Sequence, residues 1–592
     1  MKKKYPTNNF ILFESPIFSI NNNYLFFNDP IDILIFNPTK SINNFFDQLE
    51  KVLSQGFWLA GFFSYEFGYF LNPKLKFLCP LRPTFPLVFL GIFKQPQILV
   101  HNDITTSYNN SKPIFQNLKL NLTQQAYEAK IKQIKNYITC GETYQVNFTL
   151  KYFFETNAEP VSIYLELRKK QKVSLGGVLK TPEFSIISLS PELFFHIKDQ
   201  KIYTKPMKGT APRGINHAHD QEIAHRLAND PKNKAENVMI VDLLRNDLGK
   251  ICKPGTILVP KLFEVEKYET IHQMTSTITG KLKTLELKQL FEALFPCGSI
   301  TGAPKIRTME IIAELENNHR GVYTGAFGFI SPQKEMLFNV AIRTLLLQGE
   351  TGEFGIGSGI VWDSDPQEEF KECLLKAKFL TSPPINFSLV ETMKFTPQEG
   401  IKLLPLHLKR LTNSAKYFDF PFNKTYTKKI LAQNLTRLNN QAKIRLLLSK
   451  KGTLKIEIYE FKKLKDVTIG LAKKNFHPPK QFRHHKTTYR PWFAPWQKRA
   501  SVNNFFDVIF YDENKRLLEG CITNIFLKIK GKLYTPPLYL EILPGVLRES
   551  LLKSKQVIEH ELTVQDLYLA ENIYIGNAVQ GLLLVKKFFH LQ

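Results

Sequence analysis

Two adjacent prolines, Pro383 and Pro384, mark the strongest break in a chain of 592 residues. Residues 366–380 before them have the spacing of an amphipathic helix, and residues 385–390 after them have the pattern of a strand. Because a residue before proline is disfavoured in the helical conformation, the helix is expected to end here. The length also exceeds the usual size of one domain. We therefore predict a first domain over residues 1–380, a linker over 381–385 and a second domain over 386–592.

The composition is that of a globular protein, with 43% hydrophobic and 22% charged residues. No apolar run is long enough to span a bilayer, and the N-terminal lysines are not followed by the apolar stretch of a signal peptide. The six cysteines form no CxxC pair, so the spacing predicts neither a disulfide framework nor a zinc site. We expect a cytoplasmic protein without membrane association.

The formal net charge of +26 makes a nucleic-acid-binding protein the alternative to consider. Such a protein is expected to cluster Lys and Arg on one stripe with interleaved aromatic residues, whereas these lysines are spread along the whole chain. We therefore expect no nucleic-acid partner; that alternative predicts strongly salt-dependent binding to DNA or RNA. A positive field also attracts anionic substrates such as a dicarboxylate.

The pattern of elements indicates mixed α and β structure in both parts. Residues 184–189 and 326–330 read as strands, and residues 235–244 and 366–380 read as helices. Asp365 is placed to cap the second of these helices. Residues after the break alternate β-rich and helical stretches, which favours an α/β or α+β domain.

Acidic residues on the helix 366–380 are the first candidate site. Glu369, Glu372 and Lys376 share one helix face, and Glu236 lies on another predicted helix. A solvated charged stripe is the common alternative. The segment Gly355-Ile-Gly-Ser-Gly before this helix, however, lets a backbone approach a ligand closely. Carboxylates gathered from separate helices suit Mg²⁺.

Lys208 is a candidate nucleophile, because it lies beside a glycine in a segment of small and apolar residues. Partial desolvation lowers the proton affinity of an amine and makes it reactive, although a surface lysine is the commoner case. Glu192 ends a predicted strand and is a candidate general acid. His272 is either a site residue or a buried core histidine.

Several segments of the first part together resemble the chorismate-utilising enzymes, most closely the synthase component of 4-amino-4-deoxychorismate synthases. The segments, in chain order, are GETYQVN, SLSPELF, PMKGTAPRG, KAENVMIVDLLRNDLG, YETIHQMTSTITG, FPCGSITGAPKIRTMEII, RGVYTGAFGF, NVAIRT and GIGSGIVWDSDPQEEFKECLLKA. The resemblance covers residues 10–380 and implies an α/β sandwich with antiparallel sheets.

The resemblance also implies roles for individual residues. Lys208 would add to C2 of chorismate while Glu192 protonates the departing 4-hydroxyl, and ammonia would then displace the lysine. Catalytic, substrate-binding and metal positions follow from the matched motifs, and they are Lys208, Glu192 and His272; Thr210, Thr301, Tyr323, Arg343, Gly357, Gly359 and Lys376; and Glu236, Glu369 and Glu372. Anthranilate and isochorismate synthases of this family typically have alanine at the position of Lys208, so those activities are the disfavoured alternatives. One departure is Asn233, where the family often has an acidic residue.

The second part contains a candidate pyridoxal phosphate lysine. Lys486 is flanked by small hydroxyl residues, which suits Schiff-base chemistry, and Glu519 precedes a glycine and could face a pyridinium nitrogen. Gly545 and Val546 open a predicted helix whose free N–H groups could bind phosphate, and Arg410 supplies a cation. Each of these signals alone is weak.

Together they resemble the fold-type IV pyridoxal-phosphate enzymes over residues 386–585, which include aminodeoxychorismate lyases, branched-chain aminotransferases and D-amino-acid aminotransferases. The resemblance implies a domain of two α/β subdomains, so the whole chain is predicted to be an α+β protein. Implied cofactor contacts are Arg410, Lys486, Glu519, Asn524, Gly545 and Val546. The segment HKTT favours a lyase over an aminotransferase, and enzymes of this fold type usually build their site at the interface of a homodimer.

The two resemblances together imply Mg²⁺-dependent amination of chorismate followed by pyridoxal-phosphate-dependent elimination of pyruvate, giving 4-aminobenzoate for folate. Neither Cys79 nor Cys140 is flanked by the glycine-rich elbow of a glutamine amidotransferase nucleophile. We therefore expect ammonia to come from a separate amidotransferase subunit.

Overall fold

The computed structural model describes residues 9–14, 23–80, 82–100, 104, 115–170, 173, 175–269, 271–381, 385–436 and 438–591. The chain forms two compact units. The first comprises Met1–Ala211 and Arg226–Pro384, and the second comprises Pro212–His225 and Ile385–Gln592. Of the predicted linker, residues 382–384 lie outside the described residues.

The first unit combines two large β-sheets with helices. Its strands are β1 Phe10–Glu14, β2 Asn23–Asn28, β3 Asp32–Ile35, β4 Trp58–Phe63, β5 Val88–Phe93, β6 Gln97–Val100, β7 Gln116–Leu120, β8 Gln145–Glu155, β9 Leu175–Lys180, β10 Ser185–Ser190, β11 Leu193–Lys198, β12 Lys201–Lys205, β13 Met207–Pro212, β14 Leu258–Lys267, β15 Ile271–Lys281, β16 Gly302–Ala303, β17 Ala326–Ile330, β18 Met336–Val340, β19 Thr344–Gln348 and β20 Thr351–Ile360.

Within the described residues these strands form two sheets of ten strands each. One has the order β16-β8-β20-β19-β10-β9-β1-β2-β6, with β7 beside β8. The other has the order β13-β15-β12-β11-β18-β17-β4-β5-β3, with β14 beside β15. Neighbouring strands run antiparallel, as where β20 pairs with β8 from Thr351↔Glu155 to Ile360↔Val146. The predicted antiparallel sheets are therefore confirmed.

The α-helices that precede residue 385 in the described chain are Ile42–Ser54, Phe67–Phe70, Gln124–Thr139, Pro160–Lys170, His217–Asn229, Pro231–Ile251, Leu287–Leu294, Lys305–Leu315 and Pro366–Thr381. Short 3₁₀ helices span Pro73–Leu78 and Gly298–Ile300. The core is rich in aromatic rings: the ring centroids of Phe63 and Phe291 are 4.3 Å apart, and both side chains are fully buried. Each such burial stabilises the fold by about 1.5–3 kcal/mol.

Sequence patterns anticipated several of these elements. The helix expected at 366–380 is Pro366–Thr381, and the Asp365 Oδ1 accepts the N–H groups of Gln367 and Glu368, each at 3.0 Å, as an N-cap does. The helix expected at 235–244 lies within Pro231–Ile251, whose first turn is capped by Asp230.

The second unit contains two further sheets. Its strands are β21 Leu389–Thr396, β22 Gly400–Ile401, β23 Ala442–Leu448, β24 Leu454–Glu460, β25 Asp466–Lys473, β26 Asp507–Tyr511, β27 Leu517–Gly520, β28 Asn524–Ile529, β29 Lys532–Thr535, β30 Ile558–Glu559, β31 Asn572–Asn577 and β32 Gly581–Leu591. The helices after residue 385 are Leu404–Phe418, Lys424–Leu435, Lys480–Arg483, Ala494–Val502, Val546–Lys553 and Asp566–Leu569, with 3₁₀ turns at Pro491–Phe493 and Leu538–Leu540.

The smaller sheet has the order β22-β21-β23-β24 and the larger the order β27-β26-β25-β32-β31-β28-β29-β30 among the described residues. Parallel pairs occur in the larger sheet, where β25 lies between β26 and β32. One hydrophobic cluster accompanies the smaller sheet and two accompany the larger sheet. This arrangement confirms the expected α+β class with two subdomains in the second part.

The strand expected at residues 385–390 begins later than predicted, at Leu389. Leu389 pairs with Leu448, the last residue of β23, so residues 385–388 have no β23 partner. All six cysteines are free in the structure. No helix in the described part of the chain combines the length and the apolar character needed to cross a membrane.

Candidate functional site

Glu192 is a buried carboxyl group at the end of a strand. β10 ends at Ser190, and Glu192 follows with 4% of its surface exposed. The Glu192 N–H donates to the Ser190 Oγ at 3.2 Å, and the Ser299 hydroxyl donates to the Glu192 Oε1 at 2.6 Å. Burial raises the pKa of Glu192 to about 7, against the lowering effects of Ser299 and Lys208. A carboxyl group with this pKa can donate a proton near neutral pH.

Lys208 lies on β13 among charged groups from three other segments. Burial lowers the pKa of Lys208. The carboxylates of Glu236, Glu192 and Glu372 raise the pKa of Lys208, whereas the nearby cation of Lys376 lowers it further. The structure therefore brings five predicted site residues within electrostatic range of one another. A desolvated amine of lowered pKa is suited to act as a nucleophile.

The alternating glycines of β20 leave room for other side chains. A Cβ at Gly359 would stand 2.7 Å from the Nζ of Lys208, and a Cβ at Gly355 would stand 2.2 Å from the ring of Tyr323. At Gly357 the same atom would meet the backbone oxygen of Phe148 at 2.7 Å. The glycine spacing that predicted close backbone approach therefore leaves room for the side chains of Lys208 and Tyr323.

The predicted metal ligands lie near one another but have other partners. Burial raises the pKa of Glu236, and the charges of Glu369 and Glu372 raise it further. Glu369 accepts a hydrogen bond from Ser364 at 2.7 Å, and Glu372 pairs with Lys376 at 2.8 Å. Among the described residues no three acidic, histidine or cysteine side chains are already gathered as a metal-binding group. Three mutually repelling carboxylates nevertheless fit a hard divalent cation such as Mg²⁺ in donor chemistry.

Asn233, the departure from the family pattern, lies next to this cluster. Its Nδ2 donates to the Asp230 Oδ1 at 2.7 Å at the start of the helix Pro231–Ile251. A Cβ at Gly209 would be 3.0 Å from the Asn233 Oδ1. The amide therefore packs beside the strand that carries Lys208.

Arg343 and Lys376, the two cations predicted to bind substrate carboxylates, have different surroundings. Burial lowers the pKa of Arg343 to about 10, an effect that Tyr268 opposes. Lys376 donates to the Gly357 carbonyl at 2.7 Å as well as pairing with Glu372. Arg343 remains a cation at neutral pH, which suits a dianionic substrate.

The other predicted residues of the first unit occupy varied positions. Thr301 is fully buried, and its hydroxyl donates to the carbonyls of Cys297 and Gly298. Thr210 is exposed and donates to Gln273 at 3.0 Å. His272 is buried on β15, the strand beside β13, opposite Lys267 of β14.

Sequence reasoning did not single out Ser299 or Gln145, although both lie in quoted motifs. The Nε2 of Gln145 would be 3.0 Å from a Cβ at Gly359, on the same side as the Nζ of Lys208. Gln145 is 1% exposed, and its Nε2 is buried without a hydrogen-bond partner within the described structure. A buried polar atom without a partner commonly indicates a ligand position. In the sequence, only their positions within the quoted motifs pointed to Ser299 and Gln145.

In the second unit, Lys486 is the predicted cofactor lysine. Its carbonyl accepts the N–H of Val390 at 3.0 Å, which ties the segment to β21. Burial lowers the pKa of Lys486 to about 7, and the cation of Arg410 lowers it while Glu391 raises it. The amine can therefore exchange a proton near neutral pH.

Arg410 forms a buried ion pair that the sequence did not indicate. Its Nε and one terminal nitrogen donate to the two oxygens of Glu391 at 2.8 and 2.6 Å, and the other donates to the Pro544 carbonyl at 3.1 Å. His407 contacts the same carboxylate through Nδ1 at 2.7 Å. Burial alone would raise the pKa of Glu391, but Arg410 and His407 hold it at about 2. Glu391 is thus an ionised positioning group for Arg410.

Glu519 is a buried carboxyl group on β27. Its Oε2 accepts the N–H of Leu543 at 3.1 Å, and burial raises its pKa to about 7 while Arg490 lowers it. Asp507 supports the following turn, because it accepts the N–H groups of Cys521 and Ile522 at 3.0 Å each. A cavity borders Glu519 and is lined by Arg490, Lys474 and aromatic side chains.

The remaining cofactor candidates meet at the start of a helix. Gly545 is the N-cap of Val546–Lys553, as predicted. A Cβ at Gly545 would lie 1.9 Å from the Oδ1 of Asn524, so this position has no room for a side chain. The Nε2 of His407 is buried without a hydrogen-bond partner in the described part of the chain. A tight glycine at a helix N-terminus, a nearby arginine and this open nitrogen fit a phosphate group, and Lys486 with Glu519 fits the rest of pyridoxal phosphate.

Two known protein families match separate parts of the chain. Residues 35–382 match the chorismate binding enzymes, and residues 388–588 match the class IV amino-transferases. The first match spans more than half of the chain, and the chain therefore belongs to the chorismate binding enzyme family. It carries in addition a domain of the class IV aminotransferase type.

Three named relatives are each similar to part of this chain. The chain is 31% identical over 396 residues to aminodeoxychorismate synthase component 1 of Bacillus subtilis, covering 60% of this chain and 84% of that protein. It is 34% identical over 361 residues to anthranilate synthase component 1 of Saccharolobus solfataricus, covering 58% of this chain and 85% of that protein. It spans only 41% of the aminodeoxychorismate synthase of Streptomyces pristinaespiralis, with 37% identity over 52% of this chain.

A solved structure supports the same fold. A 2,3-dihydroxybenzoate-specific isochorismate synthase from Bacillus anthracis matches with a TM-score of 0.53 and 19% identity over 64% of this chain and 96% of that chain. At this identity the likeness concerns the fold alone.

Proposed function

We propose that the chain makes 4-aminobenzoate from chorismate in two steps, in the cytoplasm, for folate synthesis. Residues 1–380 would aminate chorismate to 4-amino-4-deoxychorismate, and residues 386–592 would eliminate pyruvate from that product. The observation that carries the first step is the lowered pKa of Lys208 beside the raised pKa of Glu192. A lysine of reduced basicity and a carboxyl group that keeps its proton to higher pH are the groups that nucleophilic attack and proton donation require.

In the first step the Nζ of Lys208 attacks C2 of chorismate. The Nζ–C2 bond forms as the C4–O bond breaks, and Glu192 gives its proton to the departing hydroxyl, which leaves as water. Ammonia then bonds to C4 as the C2–Nζ bond breaks and Lys208 is released. Dividing one difficult displacement in two is the benefit of a covalent nucleophile.

Glu236, Glu369 and Glu372 would hold Mg²⁺, which when bound supplies positive charge for a substrate carboxylate. Arg343 and Lys376 would bind the dianion as fixed cations. Thr210, Thr301, Tyr323, Gly357 and Gly359 would contact the substrate, and His272 would complete the catalytic group. The support for these roles is the resemblance together with the closeness of the charged groups to Lys208.

Ammonia would come from a separate glutamine amidotransferase subunit. The support is that relatives are named component 1 of aminodeoxychorismate synthase. A homodimer formed through the second domain is also part of the proposal, by resemblance to fold-type IV enzymes.

In the second step Arg410, Asn524, Gly545 and Val546 would hold the phosphate end of pyridoxal phosphate, and Glu519 would face its ring nitrogen. When bound, this cofactor supplies an electron sink. Lys486 would take the proton from the ring carbon that carries the amino group. The C3–O bond to the enolpyruvyl group would then break as a C3–C4 double bond forms, which makes the ring aromatic. The proton held by Lys486 would pass to the methylene carbon of the leaving enolpyruvate, which departs as pyruvate.

The test is product identification with purified chain, chorismate, Mg²⁺, pyridoxal phosphate and ammonium. Wild-type chain should release 4-aminobenzoate and pyruvate. Lys486→Ala should accumulate 4-amino-4-deoxychorismate, and Lys532→Ala, a change at an exposed lysine of the same unit, should behave as wild type. No turnover of chorismate with ammonium would contradict the first step, and no pyruvate release would contradict the second.

Anthranilate synthesis is the second candidate for the first domain, because an anthranilate synthase is among its relatives. Lys208 disfavours it, since that position is typically alanine in those enzymes. Detection of anthranilate in the same assay would favour it.

Aminotransferase activity is the second candidate for the C-terminal domain, which matches the class IV amino-transferases. Transfer between an amino acid and a keto acid, without pyruvate release from 4-amino-4-deoxychorismate, would favour that activity.

A further inference from the structure

Among the residues that the structure describes, the carboxyl group of Glu192 has one direct side-chain partner within hydrogen-bond distance, the hydroxyl of Ser299. The two residues are far apart in the chain: Glu192 follows β10, and Ser299 lies in the 3₁₀ turn Gly298–Ile300. The Ser299 Oγ donates to the Glu192 Oε1 at 2.6 Å, and each residue is 4% exposed. A short, water-excluded hydrogen bond to a carboxyl group is strong and directional.

We infer that Ser299 is a positioning residue that fixes which oxygen of Glu192 meets the substrate. This inference rests on the proposed function of Glu192 as the acid of the first step. A serine hydroxyl has a single proton to donate. When that proton points at Oε1, the proton that Glu192 carries belongs on Oε2, which is left to face the departing hydroxyl.

A second contact keeps the serine proton directed at Glu192. The Sγ of Cys297 lies 3.2 Å from the Ser299 Oγ, and the thiol is fully enclosed. With the serine proton given to Glu192, the thiol acts as the donor to Oγ, so the three groups form one chain of hydrogen bonds.

The turn that carries Ser299 is itself tightly held. The Thr301 hydroxyl donates to the carbonyls of Cys297 and Gly298 at 3.1 and 3.2 Å. A Cβ at Gly298 would be 2.6 Å from the side chain of Leu243. Ser299 is therefore presented by a backbone with little freedom to move, which is what a positioning role requires.

The other groups that act on Glu192 come from separate segments. Lys208 and the backbone N–H of Met207 on β13 favour its ionised form, as Ser299 does, while burial favours its protonated form. Two further groups interact with the charge of Glu192: Tyr268, which follows the last residue of β14, and Cys297, which precedes the 3₁₀ turn Gly298–Ile300. Removing only the Ser299 donor should therefore make Glu192 hold its proton to higher pH.

The experiment measures the rate of chorismate consumption by the full chain against pH, at constant free NH₃ and saturating Mg²⁺. In Ser299→Ala, kcat should fall about tenfold to a hundredfold with little change in KM for chorismate, since the negative charge that develops on Glu192 as it gives up its proton loses a hydrogen bond. The basic limb of the profile should move up by about one pH unit. Ser299→Thr, which keeps a hydroxyl, should retain the wild-type limb.

Ser299→Cys keeps the size but has a weak donor, so its limb should lie between those of wild type and Ser299→Ala. An unmoved or lowered basic limb in the alanine and cysteine variants would overturn the inference, as would a change confined to KM. Failure of wild-type chain to consume chorismate would instead overturn the proposed function, so the two failures are distinguishable.

Discussion

The Nζ of Lys208 occupies the space that a side chain at Gly359 would need: a Cβ built at Gly359 falls 2.7 Å from that nitrogen. Lys208 lies on β13 of one sheet and Gly359 on β20 of the other. The amine therefore reaches from its own sheet to the backbone of the opposite sheet. Lys208 can take this position only because Gly359 has no side chain.

Gly359→Ala is expected to displace Lys208 and to lower the rate of chorismate amination by about a hundredfold, because misplacement by about 1 Å has that effect on a reacting group. Pyruvate release from supplied 4-amino-4-deoxychorismate should be unchanged, since we propose that the other domain performs it. Gly249→Ala is the matched control, because no atom lies within 4 Å of its added Cβ. Full amination activity in Gly359→Ala would contradict the assigned position of Lys208.

Chelation of divalent cations should separate the two activities. With EDTA present, amination of chorismate should stop, because Glu236, Glu369 and Glu372 repel one another and the substrate dianion without a cation. Elimination of pyruvate should continue, and added Mg²⁺ should restore amination. Isothermal titration of Mg²⁺ into wild type and Glu236→Gln provides a second measurement: weaker binding is expected in the variant, and equal binding would argue against Glu236 as a ligand.

Glu391 is expected to stabilise the second unit at neutral pH. Its folded pKa is held at about 2, below the ordinary value of 4.5 for a glutamate, so the stabilisation is present above about pH 4.5 and is lost as the pH falls towards 2. Glu391→Gln leaves the buried Arg410 unpaired and should lower the free energy of unfolding by about 3–5 kcal/mol at pH 7. Denaturant unfolding measures this, with the exposed Glu399→Gln as control. Equal stability of wild type and Glu391→Gln at pH 7 would show that the pair contributes nothing.

Gly545→Ala should weaken the binding of pyridoxal phosphate. The new Cβ would lie 1.9 Å from the Asn524 Oδ1, so the helix start must shift, at an expected cost of roughly tenfold in Kd. Cofactor absorbance during titration of the apoprotein measures this. In a double-mutant cycle, Asn524→Ala should recover part of the loss, because it removes the clashing atom. Strictly additive effects of the two changes would place the cofactor elsewhere.

Sequence patterns alone determined much of the architecture and the candidate chemistry. Asp365 and Pro366 indicated where a helix begins, because capping is a local interaction that the sequence displays directly. The motif order pointed to Lys208, Glu192 and Lys486 for a similar reason: each lies in a short segment of recognisable composition.

Only the tertiary structure revealed Ser299, Gln145 and Glu391 as neighbours of the candidate site residues. Ser299 contacts Glu192 and Glu391 contacts Arg410, each from a different segment of the chain. Gln145 comes beside the Nζ of Lys208 only in the folded chain. The same holds for the pKa values, since burial is the largest cause for both Lys208 and Glu192 and no local pattern reports burial in a folded core. The sequence thus determines which reactive groups are present and their order along the chain. The packing of the folded chain determines their pKa values and their hydrogen-bond partners.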